Sequence, residues 1–325
     1  MSADINLLLT GAGTQTFANV FYALKKSKNS LRIIACDINS RAYGMYLADK
    51  AYIVHKAGSP DFISGILKIC RQEKIDVLIP LLSMEYLKFS RSKNLFKKYG
   101  IVIPISDYQA VKVASDKKLT YEFFLRHNIP TPSTFLPAAL PTELLFPLVV
   151  KPRLMSGSKF FRLVKTRLEL DLALKKVPRP VVQKFLQGKE YTVDVLADFD
   201  SQPIAVVPRT RLVVKEGKSV QAKTISNPLL TEQVKIIIRK LKLAGPANIQ
   251  CFKVGPKFYF TEINPRFSAG GLPLTVAAGI NTPELLLKMA KGEKINPQTE
   301  YKDNLYMFRY LTEKIVQQDN IINRM

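Results

Sequence analysis

The chain has 325 residues, 47% of them hydrophobic, and a formal net charge of +23 at pH 7. That length and apolar content support a sizeable buried core in two or three units and exclude an intrinsically disordered chain. The opening MSADINLLLTGAG lacks a basic leader and no apolar run nears the ~18 residues of a membrane span, so the sequence reads as a soluble, cytoplasmic protein without a membrane partner.

INLLL, then TGAGTQT, then FANVFYALKKSK read as strand, glycine turn and helix, and LRIIACD follows as a second strand, a βαβ opening. The turn lacks the last glycine of a dinucleotide fingerprint, because Thr16 stands there. PDFISGILKICRQEKI is an amphipathic helix, DVLIPLL a buried strand, YLKFSRSKNLFKKYG a helix and IVIPIS a further strand. The first ~110 residues therefore form a parallel α/β unit. Glu85 falls at the carboxyl end of a parallel strand, where such sheets bind ligands, and is a candidate to hold an amine.

Past Pro104 the pattern changes. SDKKLTYEFFLRHNIPTPST is a capped helix stopped by two prolines. LLFPLVVKPR, FFRLVKT, the helix RLELDLALKKV and PVVQKFL make a small antiparallel sheet with flanking helices. KEYTVDVLADFDSQPIAVVPRTRLVV is a strand pair, TEQVKIIIRKLKLAG a helix, and PANIQCFKVGPKFYFTEINP a second strand pair turning at VGPK. QQDNIINRM reads as a loose tail.

In YFTEINPRFSAGG the residues Glu262, Asn264 and Arg266 alternate, so a strand projects all three from one face. Phe260 belongs to that set, with Tyr259, Thr261 and Ile263 opposite. A carboxylate, a carboxamide and a guanidinium suit Mg²⁺ and phosphate; a solvated edge strand accounts for the same pattern. Gln250, on the preceding antiparallel strand, can point to the same spot. Lys151 ends an apolar strand ahead of SGSKFF, a small-residue turn carrying Lys159, an arrangement suited to polyphosphate. In PVVQKFLQGKE, free backbone groups can meet an adenine edge and Glu190 can accept from ribose hydroxyls, although an ordinary hairpin has the same look. Arg209 and Arg211 share a strand face and can hold an anionic substrate.

Cys36, Cys70 and Cys251, odd in number and without metal-ligand spacing, read as buried thiols rather than a disulfide framework. His55 and His127 stand apart from any cluster. The positive charge is spread over segments such as ALKKSKN, SRSKNLFKKYG and IIIRKLK, the pattern of solvated faces, with attraction to a nucleotide, an acidic substrate or an acidic carrier protein as its functional share. A nucleic-acid reader would interleave aromatic and basic residues on a sheet face, which is not evident in the sequence.

The order DKKLTYEFFLRHNIPTP, FPLVVKPR, VVQKFLQGKEYTVDVL, VVPRTRL, NIQCF and FTEINPRFSAGG resembles an ATP-grasp protein close to the carbamoyl-phosphate-synthase-like branch, from LLLTGAG to about residue 290. The resemblance implies an α/β fold, α+β in its C-terminal half. Its parts are a Rossmann-like unit over 1–112, a lid over 113–183, a C-terminal subdomain over 184–312 and a tail over 313–325, with ATP between lid and C-terminal subdomain. It implies that Lys117 and Lys151 hold phosphates under the lid turn Ser156, Gly157 and Ser158. Gln183, Lys184, Phe185 and Leu186 line the adenine, and Glu190 takes the ribose. Gln250, Glu262 and Asn264 take Mg²⁺ (or Mn²⁺), Glu262 serving the nucleotide as well. Arg266 meets the transferred phosphate, with Lys151 and Arg209 as its catalytic partners, while Glu85, Arg209, Arg211 and Ser268 face the substrate. The implied reaction is an ADP-forming ligation of a small-molecule carboxylate, activated as an acylphosphate, to an amine or other nucleophile. At least one substrate is anionic, and the enzyme is a monomer or homodimer. Departures at QKFL, at the glycine-poor lid turn and at GAGTQ, which lacks arginines, leave the alternative of a catalytically degenerate ATP-binding regulatory protein.

Overall fold

The computed structural model describes residues 5–27, 30–155, 157, 160–215 and 217–317; Ser156, Ser158, Lys159 and nearly all of the QQDNIINRM tail lie outside them. The N-terminal unit contains β1 (Ile5–Thr10), α1 (Gln15–Lys25), β2 (Leu31–Asp37), β3 (Lys50–Ile53), α2 (Phe62–Gln72), β4 (Val77–Ile79), α3 (Tyr86–Lys97) and α4 (Tyr108–Ala114). Its sheet runs β3-β2-β1-β4 with every pairing parallel. Leu7, Leu9 and Ile33 pack under α1 against Phe17, Val20 and Leu24, while Leu8, Ile34 and Leu78 pack on the other face against Ile66 of α2 and Phe89 of α3. Burial on both faces is why these strands read as unbroken apolar runs.

IVIPIS does not form the expected strand. It joins β4 through the isolated bridge Val77↔Val102, and Ile105 N then turns back onto Ile103 O at 2.9 Å, around a proline that has no donor to offer a ladder. Neither β3 nor α4 was marked by a periodic apolar pattern, since each is too short to show one.

The middle unit, expected as a lid, begins with α5 (Lys117–Arg126), whose N-cap Asp116 accepts from Lys118 N and Leu119 N. It continues with β5 (Thr134–Phe135), β6 (Leu148–Pro152), β7 (Arg162–Val164), α6 (Arg167–Lys176) and β8 (Pro180–Lys184), an antiparallel sheet in the order β5-β8-β6-β7. Leu148, Val150, Val164 and Val182 close on Leu170 and Ala173 of α6.

The last unit holds β9 (Lys189–Ala197), β10 (Pro203–Lys215), β11 (Lys218–Thr224), α7 (Pro228–Leu241), β12 (Gly245–Val254), β13 (Lys257–Asn264), α8 (Leu272–Ala277), α9 (Thr282–Ala290) and β14 (Tyr306–Phe308). Its sheet runs β13-β12-β9-β10-β11-β14. One face, with Val193, Val195, Ile249 and Phe258, packs on Val234, Ile237 and Ile238 of α7 and on Phe124 of α5. On the other face Leu196, Ala205 and Val207 enter the same core as Leu7 and Phe17, which fixes the C-terminal sheet to the N-terminal unit. The rest of that face is polar, and it carries the site. Cys36, Cys70 and Cys251 are buried free thiols, and among the described residues no helix is long and apolar enough to cross a membrane.

Candidate active site

The floor of the site is the pairing of β12 with β13. Gln250 lies opposite Glu262 and Asn248 opposite Asn264, but the next pair is Cys251 with Phe260, so Thr261 is an extra residue in β13. This bulge corrects the sequence reading of the strand. Phe258 and Phe260 face the core under α7, and Ile263, an odd-numbered residue beyond the bulge, faces the same core. Glu262 and Asn264 therefore point away from Phe260, not with it. Strict two-residue alternation cannot register a bulge, and without one Glu262 would share the buried apolar face of Phe258 and Phe260.

Two lysines from the lid side converge on Glu262. Lys117 Nζ, at the first turn of α5, stands 4.0 Å from Glu262 Oε2 and donates to Met155 O at 2.5 Å. Lys151 Nζ, on β6, donates to Gln183 Oε1 at 2.9 Å, and Gln183 is held in turn by Thr134 through a 2.8 Å bond. Burial pushes the Lys151 ammonium down to about 8, partly offset by attraction to Glu262. Burial by itself would raise the Glu262 carboxyl, yet Lys117, Lys151, a hydrogen bond from Asn264 and Arg266 together hold it below the usual range. The placement of Lys117 rests on residues that the motif reading missed: Arg153 Nε grips both oxygens of Asp116 at 2.8 Å, and Lys117 N donates to Arg153 O at 3.1 Å.

At the end of β8, Lys184 is exposed and its N–H is used by Ser133 O at 2.9 Å, whereas the Leu186 N–H makes no hydrogen bond among the described residues. Phe185 and Leu186 are half-buried. Glu190 is bound by Arg211 Nη1, and Arg211 Nη2 donates to Gly217 O at 2.8 Å. Gly157 takes φ +82, the left-handed region, at the tip of the lid turn.

Arg209 and Arg211 do leave the same face of β10, but Arg209 has a different setting. It is 3% exposed and its guanidinium is fully engaged: Nε donates to Asp194 Oδ2 at 3.3 Å, Nη1 to Ser219 Oγ at 3.1 Å and Nη2 to Ser268 Oγ at 2.9 Å. Ser268 Oγ accepts from Gly271 N at 2.9 Å, and Thr275 Oγ1 donates to Asp194 Oδ2 at 2.8 Å. A Cβ on Gly271 would lie 2.0 Å from Arg209 Nε, so only glycine lets the 268–271 loop close over this network. Above the loop sits Arg309, whose Nη2 donates to Ala269 O and Gly270 O, both at 3.2 Å, while its buried Nε has no partner. Burial and then the neighbouring Arg209 lower the Arg309 pKa. Sequence reasoning missed Arg309 because the chain was not expected to return as β14; the alternating aromatics Tyr306, Phe308 and Tyr310 were the available signal.

Arg266 leaves the end of β13 and donates through Nε to Ser83 Oγ at 2.6 Å, and through Nη1 to Phe267 O at 3.0 Å. Two residues beyond Ser83, Glu85 is buried; Thr10 Oγ1 donates to its Oε2 at 2.5 Å, and burial lifts its carboxyl to about 7.

The donor set fits a hard cation held jointly with phosphate. Among the described residues there is no group of three His, Cys, Asp or Glu side chains able to cage a metal. The floor instead offers one carboxylate, Glu262, with the carboxamides of Asn264 and Gln250, and the Gln250 side chain has no hydrogen-bond partner among the described residues. Mg²⁺ keeps several waters or phosphate oxygens in its shell, so so sparse a protein set suits it.

Residues 176–313 match the family described as ATP-grasp in the biosynthetic pathway with Ter operon, and residues 7–104 match the PylC-like N-terminal domain. The fold is shared with the biotin carboxylase domain dimer of Hydrogenobacter thermophilus 2-oxoglutarate carboxylase, solved with MgADP, ADP and bicarbonate (TM-score 0.75, 17% identity, 93% of this chain and 73% of that one). It is shared too with Campylobacter jejuni biotin carboxylase in a β-γ-ATP complex (0.73, 17%, 93% and 74%). Staphylococcus aureus N5-carboxyaminoimidazole synthetase with ADP gives a similar match (0.73, 17%, 90% and 78%). A parallel α/β unit followed by two antiparallel sheets, matched along both halves of the chain, makes this protein a member of the ATP-grasp superfamily with a PylC-like N-terminal domain.

Proposed function

We propose that the protein is an ADP-forming ligase that joins a carboxylate to an amine at the expense of ATP. The observation that carries this reading is the placement of Glu262, the lone carboxylate of the β12–β13 floor, against Lys117 and Lys151 from the lid side and beside Arg266. Such a set of cations around one acid can hold a polyphosphate and a cation together. Lys117 and Lys151 hold phosphate oxygens, the segment from Gln183 to Leu186 meets the adenine with its backbone, and Glu190, oriented by Arg211, accepts from the ribose. Gln250, Glu262 and Asn264 hold Mg²⁺, which when bound neutralises charge on the phosphates.

A substrate carboxylate oxygen attacks the γ-phosphorus, the bond from that phosphorus to the β–γ bridging oxygen breaks, and ADP leaves. The amine then attacks the acyl carbon, phosphate departs, and the amine loses a proton. Arg266, anchored by Ser83, faces the transferred group. Arg309, with an unused buried Nε beside the 268–271 loop, holds the carboxylate of an anionic substrate, and Arg209 positions that loop from beneath. The similar structures were solved with ADP, MgADP and a bicarbonate anion, ligands compatible with this set of residues.

The test is ADP release from MgATP across a panel of amino acids and dicarboxylates, each with and without an amine. Release that depends on one acid, and a product joined through an amide, is the expected result. MgATP binding with no acid-dependent release anywhere in the panel would replace this reading with a nucleotide-binding regulatory protein.

A further inference from the structure

A second concavity, of about 1080 Å³, opens at the opposite end of β9 from Glu190. It is walled by the C-terminal half of α3, the segment leading to α4, the β9–β10 turn and the end of α7. Its α3 lining runs from Ser90 to Lys97, about 8 to 18 Å along the helix from Glu85, and the run of β9 puts about 30 Å between Phe199 and Glu190. Five basic side chains line it against two carboxylates.

Their engagement differs. Lys93 is committed to Asp107 at 2.6 Å and to Ile105 O at 3.0 Å, and Arg91 lies over the Tyr108 ring at 4.6 Å while donating to its hydroxyl at 2.6 Å. Arg239 has only a 3.5 Å contact with Gln202. Lys97 and Lys242 have side chains with no partner among the described residues. Lys242 also takes φ +55 at the C-cap of α7, a conformation that glycine or asparagine adopts at lower cost, and there it lines the cleft. Helix C-termini favour cations, which accounts for lysines at the ends of α3 and α7. It does not account for two such ends meeting with the β9–β10 turn across one concavity, with the surplus of positive charge left unpaired.

We propose that this cleft binds a phosphorylated small molecule bearing several negative charges. Compact ammonium groups act as point charges toward phosphate, and a ligand of multiple charge answers a surplus that a single carboxylate cannot. Phe199, 48% exposed at the rim, offers a flat apolar surface to the uncharged part of such a ligand. A nucleic-acid track is disfavoured because Asp107 and Asp200 interrupt the basic lining, and the cations converge on a concavity rather than follow a stripe.

The experiment is calorimetric titration of the full chain with sodium tripolyphosphate, comparing wild type, the Lys97→Gln/Lys242→Gln double variant, Lys151→Ala, and a control with Lys25→Gln/Lys68→Gln outside the cleft. Both cleft lysines are exposed, and retained far-UV circular dichroism and melting temperature establish that the variants fold. The expected result is a binding event at least tenfold weaker in the cleft variant and unchanged in Lys151→Ala and in the control. Equal weakening in the control would assign the effect to the general positive field and overturn the proposal. Loss only in Lys151→Ala would confine tripolyphosphate to the active site and overturn it as well. A single-stranded oligonucleotide that binds through Lys97 and Lys242 and is not displaced by tripolyphosphate would also overturn it, in favour of nucleic acid. Because Lys97 and Lys242 lie outside the active site, these outcomes stand apart from success or failure of the ligase assay.

Discussion

Arg266 Nε donates to Ser83 Oγ at 2.6 Å, joining the last residues of the β13 strand to the loop that follows β4 in the N-terminal unit. The two residues are 183 positions apart, and the bond sets the direction of a guanidinium that burial has already made harder to keep charged. Ser83→Ala should leave ATP affinity unchanged and lower turnover about 10- to 100-fold, the scale of a misplaced group at a reacting centre. Steady-state kinetics check this; an unchanged kcat would mean that Arg266 is oriented without Ser83.

Glu262→Gln removes the only carboxylate of the floor and leaves Lys117 and Lys151 facing each other without a counter-charge. The expected outcome is loss of MgATP-dependent ADP release with a melting temperature near that of wild type, because the residue lies on the polar face and not in the core. Gln250→Ala should weaken the response to Mg²⁺ and leave Mg²⁺-free nucleotide binding intact. Retained turnover in both variants would move the metal elsewhere.

Lys151, held down to about 8 by burial, is losing its charge just above neutral pH. ATP affinity should therefore fall as pH rises from about 7 to 9, and binding at pH 8 should take up a fraction of a proton, readable by calorimetry in buffers of different ionisation enthalpy. Without nucleotide the sign for stability is the reverse. The folded chain holds this proton less tightly than the unfolded chain, so the group's contribution rises as pH climbs from about 8 to 10.5. Lys151→Arg, always charged, should flatten the affinity profile; an unaltered profile would assign it to another group.

Glu85, lifted by burial from 4.5 to about 7, binds its proton more tightly in the folded chain than in the unfolded one. Its contribution to stability is fully present below pH 4.5 and is lost as pH rises through about 7. Glu85→Gln should melt higher than wild type at pH 8 and no higher at pH 4. The same gain at both values would show that charge is not the cause.

Arg209 and Arg309 lie on opposite sides of the 268–271 loop and should separate in experiment. Arg209→Ala leaves Asp194 buried without its cation and should cost about 3–5 kcal/mol of stability, the range for a broken buried pair. Arg309→Ala should raise the KM for the acid substrate with little change in melting temperature. Surface substitutions such as Lys25→Ala should alter neither. If Arg209→Ala shifts KM alone and the melting temperature stays put, the roles of the two arginines are exchanged.

The N-terminal strands β1, β2 and β4, the lid strands β6, β7 and β8, the β9–β10 pair and the β12–β13 hairpin were legible in the sequence, because each is a run of local apolar pattern closed by prolines, glycines or caps, whereas the short β3 and β5 were not. The antiparallel pairing of the two strands followed as well from the short turn at 255–256, but that turn alone would set Gln250 opposite Thr261, and it is the bulge that brings Gln250 opposite Glu262. Period-two reasoning failed at Thr261: a bulge is an extra residue accommodated by the partner strand, and a single strand's sequence does not record it. The same limit hid the burial of Arg209, whose partners Asp194, Ser219 and Ser268 come from three separate segments. It also hid Arg309, which reaches the site only because β14 adds to the far edge of the sheet beside β11. Sequence by itself determined which residue types and local elements are present; tertiary structure decided which of these charges face solvent, which neutralise one another and which remain unpaired, because long-range packing sets both distance and dielectric.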